Sequence, residues 1–168
     1  MLVYVPDTTP IESHSWVLDG FMHWNFYLMA PLLAFRHGAA LGTEFYSQYS
    51  VGWPLFFSVL SRFWSIDFSM VFTTVTLLAC TYFMALFFFL QSLTGRSAWA
   101  LAGLLLALFL QMYCGTQGPL WSYPSSTILR NPFDVFLFWM CLLHARTGNP
   151  RYGIGIGLAA GLAVLFGT

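Results

Sequence analysis

Residues 68–93 read FSMVFTTVTLLACTYFMALFFFLQSL, a run without one charged side chain, and Thr94-Gly95-Arg96-Ser97 closes it with a turn signal. About 20 predominantly apolar residues in a helix cross the roughly 30 Å of hydrocarbon in a bilayer. The run is therefore expected to be a transmembrane helix, and the rest of the chain is read outward from it. Composition points the same way: 58% hydrophobic, 7% charged and a mean hydropathy of +0.71 are too apolar for a soluble domain of 168 residues to bury. The expected class is an all-α integral membrane protein.

Downstream, 97–113 is a second apolar run rich in Leu and Ala. Residues 114–127, with Gly115, Gly118, Pro119 and Pro124, form a loop. A third span is expected at about 130–145, with Arg130 and Asp134 at its mouth, then a polar turn over Arg146–Arg151, then a last span over 152–168. In that last span Gly157-Leu-Ala-Ala-Gly161 would let another helix approach closely. The bundle thus occupies 68–168.

Upstream, residues 1–18 are irregular. Residues 21–37 are apolar apart from His23, Asn25, Arg36 and His37, lie among the boundary-seeking aromatics Trp16, Trp24 and Tyr27, and run up to Gly38. They are expected to form a helix lying at the interface. Residues 51–66 rise only about 24 Å as a helix and contain Pro54 and Arg62, so a second interfacial helix is expected there. The organisation is then about four transmembrane helices following a first loop, 1–67, that carries two interfacial helices. Arg96, Arg146 and Arg151 sit in tight turns with no acid beside them, which places those turns in the cytoplasm and 1–67 and 114–131 outside it. No Lys or Arg precedes an apolar core in the first twenty residues, so a signal peptide is not expected. The chain is expected to be a piece of a longer membrane protein, truncated at both ends, with the remaining helices of that parent as partners.

A net charge of zero and the lack of any basic run exclude a nucleic-acid-binding groove. Cys80, Cys114 and Cys141 lack paired spacing and read as small apolar fillers. His144 has no second histidine at a matching depth for haem, and no Ser/His/Asp order or Gly-rich nucleotide loop occurs, so no organic cofactor is expected. Polar chemistry concentrates before residue 68 and around 130. Asp19 and His23, four apart, share a helix face and suit either a divalent metal ion or mutual orientation. Asp134 is either a functional intramembrane acid or a first-turn acid meeting the helix dipole. Arg130 suits a phosphate or a lipid head group. Tyr46, Tyr49, Trp53, Trp121 and Tyr123 form an aromatic belt at the boundary or a platform for sugars and isoprenoid tails.

The order of these features resembles a known family. An acid and a histidine (Asp19, His23) precede Phe26-Tyr-Leu-Met-Ala-Pro-Leu-Leu-Ala-Phe-Arg-His-Gly38, then Thr43-Glu-Phe-Tyr-Ser-Gln-Tyr49 leads into Trp53-Pro54 and the spans. This resembles the first outer loop of polytopic glycosyltransferases of the C fold type, including bacterial relatives of the aminoarabinose and protein mannosyl transferases. Tyr123-Pro-Ser-Ser-Thr-Ile-Leu-Arg130 and Pro132-Phe-Asp134 look like their second outer loop. The resemblance implies transfer of a sugar from a polyprenyl-phosphate donor to an acceptor on the extracytoplasmic face of a bacterial inner membrane. It further implies Asp19 as base, His23 beside it and Arg130 on the departing phosphate, with Glu44, Tyr49 and Asp134 as further substrate contacts. The chain departs from the family in having Tyr49-Ser50-Val51 in place of Tyr-Gly-Pro, and Asp19-Gly20 in place of two adjacent acids. A non-catalytic polytopic protein, a transporter segment or an assembly subunit, is the competing expectation.

Overall fold

The computed structural model describes residues 22–40, 50–113 and 128–167, and all regular structure among them is helical. A wide π-helical turn, Asn25–Met29, runs directly into α1 (Ala30–Arg36). The wide turn lies just ahead of Pro31, which has no N–H to donate and whose ring crowds the carbonyl four residues back. The backbone adapts by an Ala30 N–H to Asn25 carbonyl bond, five residues apart.

Helix α2 (Gly52–Leu60) tolerates Pro54 in its first turn, where amides lack intrahelical partners. It stops at Leu60 instead of continuing to residue 66. Arg62 N–H donates to the Val59 carbonyl and Phe63 N–H to that of Leu60, so the chain tightens into turns. The turns are needed because Asp67 must be extended to start α3 (Phe68–Thr94): its carboxylate accepts from Met70 N–H at 2.7 Å and from the Ser65 hydroxyl at 3.0 Å.

Helices α4 (Ser97–Tyr113), α5 (Asp134–Thr147) and α6 (Pro150–Phe166) complete the described elements. Both α3 and α5 end in a Thr-Gly pair whose glycine is left-handed, Gly95 at φ 69° and Gly148 at φ 63°. In each, the glycine N–H returns to a carbonyl of the last turn at 2.8 Å, and the threonine hydroxyl bonds back four residues. A side chain at such a φ costs about 1–2 kcal/mol. Gly95→Ala and Gly148→Ala are each expected to destabilise by about 1 kcal/mol, read as a lower unfolding midpoint by circular dichroism in detergent.

The chain therefore folds as two helical hairpins, α3–α4 and α5–α6, joined along α3 and α5. Those two helices run parallel: Tyr82 meets Asp134, Phe88 stacks on Trp139 at 6.1 Å, and Arg146 reaches the carbonyls of Ser92 and Leu93. Helix α3 is the longer by far. Its residues 68–81 extend about 21 Å beyond the start of α5, and there α1 and α2 pack against it.

The core lies at that end. Trp24, Leu28, Leu32, Trp53 and Phe57 meet Met70, Val71, Phe72 and Val75 of α3 and Leu129 of the segment before α5. Towards the other end apolar side chains point outward, Trp99 at 63% and Ile154 at 66% exposure among them. One described helix, α3, is long and apolar enough by itself to cross a membrane, with a mean hydropathy of 1.9; most of α4 and all of α6 are shorter apolar helices.

Candidate functional site

The capped end of the bundle is assembled from aromatic rings, and the packing of those rings decides where polar groups emerge. Trp24 is 1% exposed and sets its ring edge against Phe72 at 5.0 Å. Trp53 is 3% exposed, touches Phe56, Phe57 and Phe166, and donates its indole N–H to the Leu129 carbonyl at 2.9 Å. Both tryptophans were expected at the lipid boundary, and both instead lie in the core. For Trp53 the reason is an acceptor: its buried indole N–H meets the Leu129 carbonyl in the irregular segment ahead of α5.

That one bond fixes the segment before α5. Leu129 is fully buried, Pro132 is buried, and Arg130 and Asn131 turn outward between them. Arg130 is thereby held exposed on the rim of the aromatic core. His23, half-buried, adjoins the same core through its chain neighbour, buried Trp24, with its ring 5.2 Å from that of Tyr27. The fold thus brings His23 and Arg130, far apart in sequence, to the margins of one core.

Asp134 takes a different position. It opens α5, and its carboxylate accepts from Val135 N–H at 2.6 Å, as a first-turn acid does. It also adjoins the Tyr82 phenol, which can donate to it. Because α5 begins at the level of Tyr82, Asp134 sits well down the length of α3 and not level with α3's own start. Tyr82 was missed by reasoning from sequence. The available signal was a lone phenol among the phenylalanines of 68–93, a residue type that seeks a partner when buried.

Asp19, Glu44 and Tyr49 lie outside the described residues, as do Tyr46, Trp121, Tyr123 and Cys114. Among the described residues no three His, Cys, Asp or Glu side chains come together as a metal-binding group. His144 is at the opposite end of the bundle, where its Nδ1 and the Asn149 carbonyl are 3.0 Å apart. Cys80 and Cys141 are free and exposed.

No protein-family model, curated protein or solved structure matches the chain.

Proposed function

We propose that the chain is a membrane-embedded bundle of four helices whose capped end handles a lipid-linked phosphosugar, as the glycosyl-transferring part of a polyprenyl-phosphate-dependent transferase. The observation that carries this reading is Arg130: an exposed guanidinium that follows fully buried Leu129 at the margin of an aromatic core, at one end of an apolar bundle. A planar guanidinium grips phosphate oxygens through paired hydrogen bonds. The outward apolar faces of α3, α4 and α6 support the membrane placement, because a bilayer would cover them.

In the reaction the acceptor hydroxyl loses its proton to a carboxylate, for which Asp19 is the candidate, and its oxygen bonds to the anomeric carbon. The bond from that carbon to the polyprenyl-phosphate oxygen breaks, and the phosphate leaves with the electron pair. Arg130 steadies the leaving charge, and His23 orients the acceptor or the base.

The test is transfer of radiolabelled sugar from a polyprenyl-phosphate donor by membranes carrying the protein expressed from its complete gene. Arg130→Ala is expected to lower the rate by about 100-fold, the size of effect seen when one charge-stabilising donor is removed. His23→Ala is expected to lower it by about tenfold or more. Full activity of both variants overturns the site, and absence of transfer from every such donor overturns the class.

A second reading has one observation in its favour. The Tyr82–Asp134 pair lies between α3 and α5, partway along the bundle, where an ionisable group is costly unless it serves a pathway. That arrangement suits a transport segment. It predicts that Asp134→Asn abolishes solute uptake in vesicles while sugar transfer is absent from wild type.

A further inference from the structure

We propose that the end of the bundle opposite the aromatic cap is a docking surface for anionic phospholipid head groups, with Arg96 and Arg151 as the contacts. The inference rests on the membrane-embedded half of the reading above and is independent of the glycosyl chemistry.

Three of the six arginines collect at the two Thr-Gly turns. Those turns touch: Arg146, at the end of α5, donates to the carbonyls of Ser92 and Leu93 at the end of α3. Trp139 adds a bond from its indole to the Ser92 hydroxyl at 3.2 Å, so the two hairpin tips are held as one unit. Arg146 is consumed in that staple. Arg96 and Arg151 are exposed, and among the described residues they hydrogen-bond through their backbones alone, to Thr94, Ala100 and Asn149.

Among the described residues no acid offsets them. The stretches 92–100 and 143–153 contain no Asp or Glu, and the two described acids, Asp67 and Asp134, each begin a helix at its opposite end. Helices α4 and α6 both start at this surface, adding the positive ends of two dipoles. Trp99, exposed in the first turn of α4 just beyond Arg96, is the residue type that sits at head-group level. Two free guanidiniums, two helix starts and an exposed indole on a stapled platform fit a layer of phosphates above an apolar slab. A phosphate-bearing lipid is favoured over free phosphate because the charges border an apolar face, which only a lipid would cover at the same time.

The experiment places the purified protein in nanodiscs of phosphatidylcholine, with or without one third phosphatidylglycerol, and counts phosphatidylglycerol retained on release by native mass spectrometry. Wild type is expected to retain phosphatidylglycerol in preference to phosphatidylcholine. Each of Arg96→Gln and Arg151→Gln is expected to lower that preference by about fivefold at low salt, and both together more. Arg146→Gln is expected to lower the unfolding midpoint equally in both bilayers, as loss of a staple does. Inorganic phosphate added to phosphatidylcholine nanodiscs is expected to leave the midpoint unchanged. A double variant that retains phosphatidylglycerol like wild type overturns the proposal, as does stabilisation by inorganic phosphate alone. Failure of the protein to enter either nanodisc overturns the membrane reading itself.

Discussion

Trp53→Ala is expected to cost more stability than any other single substitution at the capped end, about 3–5 kcal/mol for the lost packing of a large buried aromatic. Its ring joins three parts of the chain. It packs within α2 on Phe56 and Phe57, meets Phe166 at the end of α6 at 4.9 Å, and hydrogen-bonds Leu129 ahead of α5. Truncation leaves a cavity among these and removes the bond to the Leu129 carbonyl, which adds about 1 kcal/mol. Trp53→Phe separates the two effects, since it keeps most of the ring bulk and loses the bond. It is expected to cost about 1–3 kcal/mol. Equilibrium unfolding in mixed micelles, followed by far-ultraviolet circular dichroism, measures both. A loss below about 1 kcal/mol for the alanine variant, smaller than ordinary core truncations, would show that the cap does not depend on this side chain.

Gly52→Val is the second large effect, for the opposite reason. A β-carbon at residue 52 would stand 2.7 Å from the Leu165 carbonyl oxygen and 2.7 Å from the Phe166 ring. The obstacle is backbone as well as side chain, so the end of α6 must move away from α2. Moving it disturbs the Ser50 hydroxyl bond to the Leu165 carbonyl and the Trp53–Phe166 contact. Overpacking of this kind costs about 1–3 kcal/mol and occasionally more, and valine is expected to reach the upper part of that range, with alanine below it. Gly161→Ala is the matched control, because nothing lies within 4 Å of its β-carbon position. In the middle of α6 it is expected to be neutral or stabilising by up to about 1 kcal/mol. Equal losses for Gly52→Ala and Gly161→Ala would mean that α6 does not close against α2.

Much of the architecture is written locally. An uncharged run long enough for α3, a Thr-Gly turn after it, a Leu- and Ala-rich run for α4 and the Gly148-Asn149-Pro150 boundary between α5 and α6 are all readable as pattern, because helix length and termination depend on neighbours a few residues away. The cap is not readable in this way. Trp53 and Leu129 are 76 residues apart, and nothing in the composition of either segment distinguishes a tryptophan at a lipid boundary from one that donates into a buried loop. Asp134 shows the same limit. Its place in the first turn of a helix follows from Asn131 and Pro132 ahead of it, but its pairing with Tyr82 depends on how far α3 outruns α5, a property of packing. Of the candidate site, Arg130 and His23 were legible as residue types, and that both adjoin one core became visible only through the buried neighbours Leu129 and Trp24.

The most direct measurement on the central claim is photocrosslinking. A polyprenyl phosphate bearing a diazirine near its phosphate is mixed with the protein in vesicles, irradiated, and the adducts are mapped by peptide mass spectrometry. The account predicts adducts around His23, ahead of the π-helical turn, and on residues 128–134, lost in Arg130→Ala and competed away by unlabelled polyprenyl phosphate. Adducts confined to the outward faces of α4 and α6, at Leu105 or Leu158 for example, and unchanged in Arg130→Ala would contradict it.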